Sequence, residues 1–210
     1  MAKAMSSGRQ NGMVLRLGTV DDAAAAAVLH AGQIGEGFLT VLGPRFLHRL
    51  YRRVARTPDS FLLVVEDGDS TVGFLAGSSD VGGLYRSFLL RDGAFVAFAC
   101  AARLVRSWRR VMETLRHGTG ATAVGAELLA VAVAPAVLGR GAGTLLVEGF
   151  LMEVGSRRLG AAHVVVAADN EAAIALYRRA GFRTAERFEL HPGTESLLMQ
   201  WAPAPGTELS

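Results

Sequence analysis

Cysteine occurs once, at Cys100, and lysine once, at Lys3. A single cysteine excludes an intrachain disulfide framework and a cysteine-built metal site. The five histidines, His30, His48, His117, His163 and His191, show neither HxxxH nor HExxH spacing, so no metal site is expected. Of the 22 basic residues 21 are arginine, and against 19 acids they leave a net charge of only +3. So small a surplus permits an anionic ligand but does not point to nucleic acid, which is not expected as a partner. No apolar run reaches the ~18–20 residues that span a bilayer. The stretch near Ala94–Ala102 is shorter and runs into Arg103, Arg106, Arg109 and Arg110. Met1–Gly12 is polar and lacks an apolar h-region, so secretion is not indicated and a cytoplasmic protein is expected.

What is present fits one folded domain. The chain has 210 residues, 50% of them apolar and 20% charged, enough to bury a substantial core. The domain is expected over 13–202, with 1–12 and 203–210 as mobile ends. Val14–Leu17 starts a strand, and Thr19 or Asp21 can cap a helix through Ala23–His30. Gln33–Leu42, with Gly35 and Gly37, reads as loop or broken helix. Phe46–Val54 places Phe46, Leu47, Leu50 and Val54 at helical spacing, with Arg45, Arg49, Arg52, Arg53 and Arg56 toward water. Ser60–Val65 and Thr71–Gly77 flank an acidic turn around Gly68 and predict a hairpin. Residues 82–120 predict one or two amphipathic helices. Packing on the domain, a homodimer contact, a pocket lining and a membrane face are all open to them, and the first two are favoured. The second half alternates: strand Leu128–Val133, helix Gly143–Leu159, strand His163–Ala168, helix Glu171–Ala180, then strands Phe182–Leu190 and Ser196–Trp201. That alternation predicts a mixed α/β sheet.

Between the first strand of that half and its helix lies Leu138-Gly139-Arg140-Gly141-Ala142-Gly143-Thr144. Three glycines at alternate positions leave backbone N–H groups unshielded at a helix N-terminus, a site for phosphate or diphosphate. Arg140 adds charge and Thr144 a hydroxyl. A P-loop would need GxxxxGK(S/T), and no lysine is present here. A dinucleotide fold would need GxGxxG, but Thr144 stands where the last glycine belongs, and Asp169 lies thirty residues after Gly139 rather than ~20. A second pattern follows. Asn170 can cap a helix, Ala173 keeps it thin, Tyr177 lies one turn further on the same face, Gly181 ends it, and Phe182 opens a strand.

The glycine turn after its strand resembles the acyl-CoA diphosphate loop of the GNAT superfamily of N-acetyltransferases. The family pattern (Q/R)-x-x-G-x-(G/A) falls on Leu138–Gly143, with Leu138 as the departure. Asn170–Phe182 resembles the superfamily's N-x-x-A-x-x-x-Y-x-x-x-G-F segment. The resemblance implies a mostly antiparallel twisted sheet with a splayed central strand pair and flanking helices, to which residues 82–120 are an added helical insertion. It implies acetyl-CoA as co-substrate, and direct attack of a primary amine of a small molecule or peptide on the thioester. Backbone groups of Val131, Ala132 and Val133 are then expected along the pantetheine, with the Val133 N–H as an oxyanion donor. Those of Leu138–Thr144 are expected on the diphosphate, and Asn170 and Ala173 are further cofactor contacts. Tyr177 is the expected acid for the leaving thiolate, since a phenol stays protonated at neutral pH; contact with the CoA sulfur or simple packing are its alternatives. Glu127, eleven residues before Leu138, is the expected base, the alternative being a solvated strand-end carboxylate. Glu36, Gly37 and Phe38 fall where the family walls its acceptor site. A non-catalytic CoA-binding module and a transferase for longer acyl-CoA are the rival readings.

Overall fold

The computed structural model of the chain describes residues 9–34, 43–92, 125–191 and 194–203. Its elements, in order, are β1 (Arg9–Gln10), β2 (Met13–Leu17), α1 (Ala23–Gln33), α2 (Pro44–Val54), β3 (Ser60–Asp67), β4 (Ser70–Ser78) and a helix α3 over 81–92. After these come β5 (Ala126–Val133), α4 (Ala142–Ser156), β6 (Ala162–Ala167), α5 (Glu171–Arg179), β7 (Arg183–His191) and β8 (Thr194–Trp201). One eight-stranded sheet runs β1-β2-β3-β4-β5-β6-β8-β7. Every neighbouring pair is antiparallel except β5 and β6.

The run SFLLVV of β3 is buried along its length because helices cover both faces of the sheet. Alternate side chains serve different cores. Phe61, Leu63 and Val65 meet Leu146 and Phe150 of α4. Leu62 and Val64 meet Ala23 and Ala26 of α1 and Leu47 and Tyr51 of α2. Each such aliphatic side chain contributes roughly 1.5–3 kcal/mol when fully buried. The hairpin forms as its acidic turn predicts, with Ser60 opposite Ser78 and Asp67 opposite Ser70.

Three details differ from expectation. The sheet begins at Arg9, inside the segment assigned to a mobile end. Asn11 (φ 51°) and Gly12 (φ 80°) supply two successive left-handed residues, the geometry of a tight hairpin turn, and fold β1 onto β2. Helix α1 starts after Asp22 rather than at Thr19 or Asp21. The Asp22 carboxylate accepts from the Thr19 N–H at 2.7 Å and takes the forked guanidinium of Arg16, which holds its carboxyl below the usual range. Arg53 does not face water: Asp92 of α3 grips it at 2.6 Å, and its side chain is 12% exposed. Of the predicted 82–120 helical insertion, the part through residue 92 lies within the described residues and is helical; 93–124 lie outside them.

Candidate active site

The site is a fork in the sheet. Strands β5 and β6 pair over two rungs, Ala126–Ala162 and Glu127–His163, and then part. The cause lies on the other edge of β5. Ala76 of β4 pairs with Ala130 and Gly77 with Leu128, so Leu129 is an extra residue with no partner across the ladder. Such a bulge bends its strand and increases local twist. Here it falls two residues beyond the last shared rung. Beyond it, β6 keeps its full ladder with β8, and β5 keeps pairing with β4 up to Val133. Alternate residues of Leu128–Val133 therefore turn backbone groups into the gap without a strand to receive them.

The fork opens toward the glycine turn. A short 3-10 turn at Pro135–Val137 leads out of β5, and Gly139 (φ 76°) and Gly141 (φ 92°) reverse the chain in the left-handed region before α4 begins at Ala142. Such φ values cost an L side chain roughly 1–2 kcal/mol, so glycine is required for this path. The first-turn N–H groups of α4 lack intrahelical acceptors, and no acid stands in that turn to occupy them. Leu138 is largely exposed and Thr144 half-buried. The Arg140 guanidinium pairs with Asp67 at 2.8 Å, so its charge is partly neutralised. The β1–β2 hairpin supports the turn from outside: the Asn11 side chain donates to the Arg140 carbonyl at 3.0 Å, and Gln10 lies beside Gly141. The Asn11-Gly12 dipeptide marks the hairpin turn in the sequence but not its contact with the glycine turn.

Helix α5 closes the other side. The Asn170 side chain caps it, accepting from the Ala173 N–H at 3.1 Å. Gly181 (φ 94°) ends it, with the Phe182 N–H reaching back to the Tyr177 carbonyl at 3.0 Å. Leu176 of α5 packs against Gly143 of α4, so the capped helix and the glycine turn are neighbours. Tyr177 is 4% exposed and its ring tilts against Phe182. Burial pushes its phenol up to about 12.

Glu127 stands at the vertex of the fork. Its carboxylate lies 3.5 Å from Nε2 of His163 on the facing strand, while Nδ1 of that imidazole is buried with no partner among the described residues. Tyr85 of α3 completes the cluster: burial, and then the Glu127 charge, push its phenol up to about 12. Neither His163 nor Tyr85 was singled out by sequence. His163 was legible only as the opening residue of a strand, and its partnership with Glu127 depends on the parallel register. Glu36, Gly37 and Phe38 lie outside the described residues.

A family model for the acetyltransferase (GNAT) family matches residues 34–182, and the chain belongs to that family. The fold is that of the ribosomal-protein-S18-alanine N-acetyltransferase from Escherichia coli (TM-score 0.59, 15% identity, 94% of this chain and 99% of that one). It is equally that of yncA from Salmonella typhimurium, solved with its cofactor acetyl-CoA (TM-score 0.58, 16% identity, 94% and 97%). The spermidine/spermine N-acetyltransferase SpeG from Vibrio cholerae is also similar (TM-score 0.59, 15% identity, 92% and 95%). In sequence, an uncharacterized protein of Mycobacterium leprae is 32% identical over 167 residues; the match takes in 73% of this chain but only 43% of that protein's length. Among the described residues no helix is long and apolar enough to cross a membrane.

Proposed function

We propose that the chain is an acetyl-CoA-dependent N-acetyltransferase acting on a primary amine of a small molecule or peptide by direct attack. The observation that carries this reading is the two-rung β5–β6 ladder opening onto a left-handed glycine turn. One feature without the other would be an ordinary bulge or an ordinary helix start. Together they offer unpaired strand amides for an extended amide-bearing arm and helix N–H groups for a diphosphate at its end.

In this reading backbone groups of Val131, Ala132 and Val133 hold the pantetheine, and the Val133 N–H receives the carbonyl oxygen as negative charge develops there. Backbone N–H groups of Leu138–Thr144 hold the diphosphate, flanked by Asn170 and Ala173. The neutral acceptor amine bonds to the thioester carbon and gives up a proton to Glu127 as it does so, which leaves a neutral amide nitrogen. As the carbon–sulfur bond breaks, Tyr177 gives its proton to the sulfur. A phenol shifted upward by burial is fully protonated at neutral pH, and the same shift makes it a weaker acid toward the sulfur, so it gives its proton only as thiolate charge develops against it. The acceptor walls include Glu36, Gly37 and Phe38.

The test is release of free CoA thiol from acetyl-CoA over a panel of polyamines, amino acids, aminosugars and peptide N-termini, paired with calorimetric binding of acetyl-CoA. Turnover with at least one amine is expected. Binding with no turnover on any amine overturns the catalytic reading in favour of a CoA-binding module. No binding at all overturns both.

A further inference from the structure

The arginines of α2 form a second basic feature, away from the glycine turn. Arg49, Arg52, Arg53 and Arg56 repeat at helical spacing and share one face of the helix and its C-terminal continuation, and the first turn of α2 holds no acid. With Asp92 of α3 they line a cleft of about 230 Å³. Asp92 organises it. Its carboxylate takes Arg53 at 2.6 and 3.2 Å and Arg49 at 3.4 Å, which fixes the planes of two guanidinium groups. Arg52 and Arg56 are exposed at the mouth. Among the described residues, the lining of the cleft is four guanidinium groups and one carboxylate. The helix dipole favours cations in the last turn of α2, but it does not require four of them to share a cleft.

The chemistry of the lining selects the ligand. Guanidinium forks match the oxygens of phosphate in paired hydrogen bonds, and they keep their charge at every physiological pH. From Arg49 to Arg56 the helix rises about 10 Å, the span of two or three linked phosphates rather than of one. We propose that the cleft between α2 and α3 is a second anion site, which takes a compact polyphosphate group, free or carried on a nucleoside. The proposal is independent of the acetyltransferase reading.

The experiment is calorimetric titration of inorganic tripolyphosphate, and in parallel of a nucleoside triphosphate, into the full chain already saturated with acetyl-CoA at low salt. One binding event in the micromolar range is expected. In the Arg52→Ala/Arg56→Ala double variant it weakens at least ~10-fold, while acetyl-CoA affinity and melting temperature stay unchanged. A tighter nucleoside triphosphate assigns the ligand to a nucleotide; equal affinities assign it to the phosphates alone. The proposal fails if no heat appears at millimolar tripolyphosphate, if the variant binds as well as wild type, or if tripolyphosphate merely displaces acetyl-CoA. It fails also if only an extended RNA strand binds. Wild type and variant can be compared without acetyl-CoA, so failure of the cleft and failure of the proposed activity are separable.

Discussion

Strands β3 and β4 share eight rungs, and β5 and β6 share two. The sequences alone would not rank them this way, since SFLLVV and LLAVAV are both unbroken apolar runs. The difference is one of satisfaction. Where the ladder is complete, the backbone has spent its hydrogen bonds on itself, and the nearby polar side chains do likewise: Arg16 binds Asp22 and Glu66, and Ser60 binds Ser78. Where Leu129 bulges out, β5 keeps only two rungs with β6, and backbone groups beyond them are left over. A closed half supplies stability, and an open half keeps backbone groups for something else.

The contrast is sharpest in side chains whose removal touches one half only. Tyr177→Phe keeps the packing on Phe182 and deletes one hydroxyl, so kcat should fall ~10²-fold with acetyl-CoA Kd nearly unchanged. Steady-state thiol release together with calorimetry measures both, and an unchanged kcat removes Tyr177 as the acid. Glu127→Gln should lower kcat by at least ~10-fold and abolish the acid limb of the pH–rate profile; an identical limb would place the base elsewhere. Gly141→Ala must hold φ near +92° with its Cβ 3.1 Å from the Gln10 side chain. A penalty of roughly 1–2 kcal/mol for an L residue there predicts acetyl-CoA binding weaker by about 10-fold. Tight binding by this variant would show that the turn does not grip the diphosphate.

The closed half has its own test, in stability rather than rate. His30 is buried between α1 and α2, 2.5 Å from the Tyr51 hydroxyl and stacked near Phe74, and its Nε2 has no partner among the described residues. Burial pushes its imidazole down to about 4. The folded state therefore binds its proton later than the unfolded chain does. The stability it contributes is whole above pH 6.5 and drains away as pH falls toward 4, by roughly 2–3 kcal/mol at the acid end. Urea unfolding of wild type and His30→Gln at pH 7 and 4.5 measures this. The wild type should lose more stability across that interval than the variant, and equal losses would mean that His30 is not the titrating group.

Much of this was legible in the residues. The acidic turn around Gly68 marked the hairpin, and the alternation after Leu128 marked the β-α-β-α-β order. The glycines at 139, 141 and 143 marked a phosphate-type turn, and Asn170, Gly181 and Phe182 marked the ends of α5. These are local effects: a cap, a left-handed residue and a period of two or 3.6 each act within a few positions. The bulge was not legible, because Leu129 is in no way unusual until β4 is laid beside it. Nor were the Glu127–His163 pair, the Asn11 contact to the Arg140 carbonyl, or the capture of Arg53 by Asp92, each of which joins residues 36 to 129 positions apart.

The amino-acid sequence by itself determined the element order, the family, and where a glycine turn opens a helix, because backbone conformation and capping are set by neighbours in the chain. Only the tertiary structure decided that β5 leaves β6 after two rungs and that Glu127 meets an imidazole at the vertex. It also decided that four arginines share a cleft with one carboxylate. Those outcomes depend on register and on charges brought together across the fold, and no local stretch of sequence contains them.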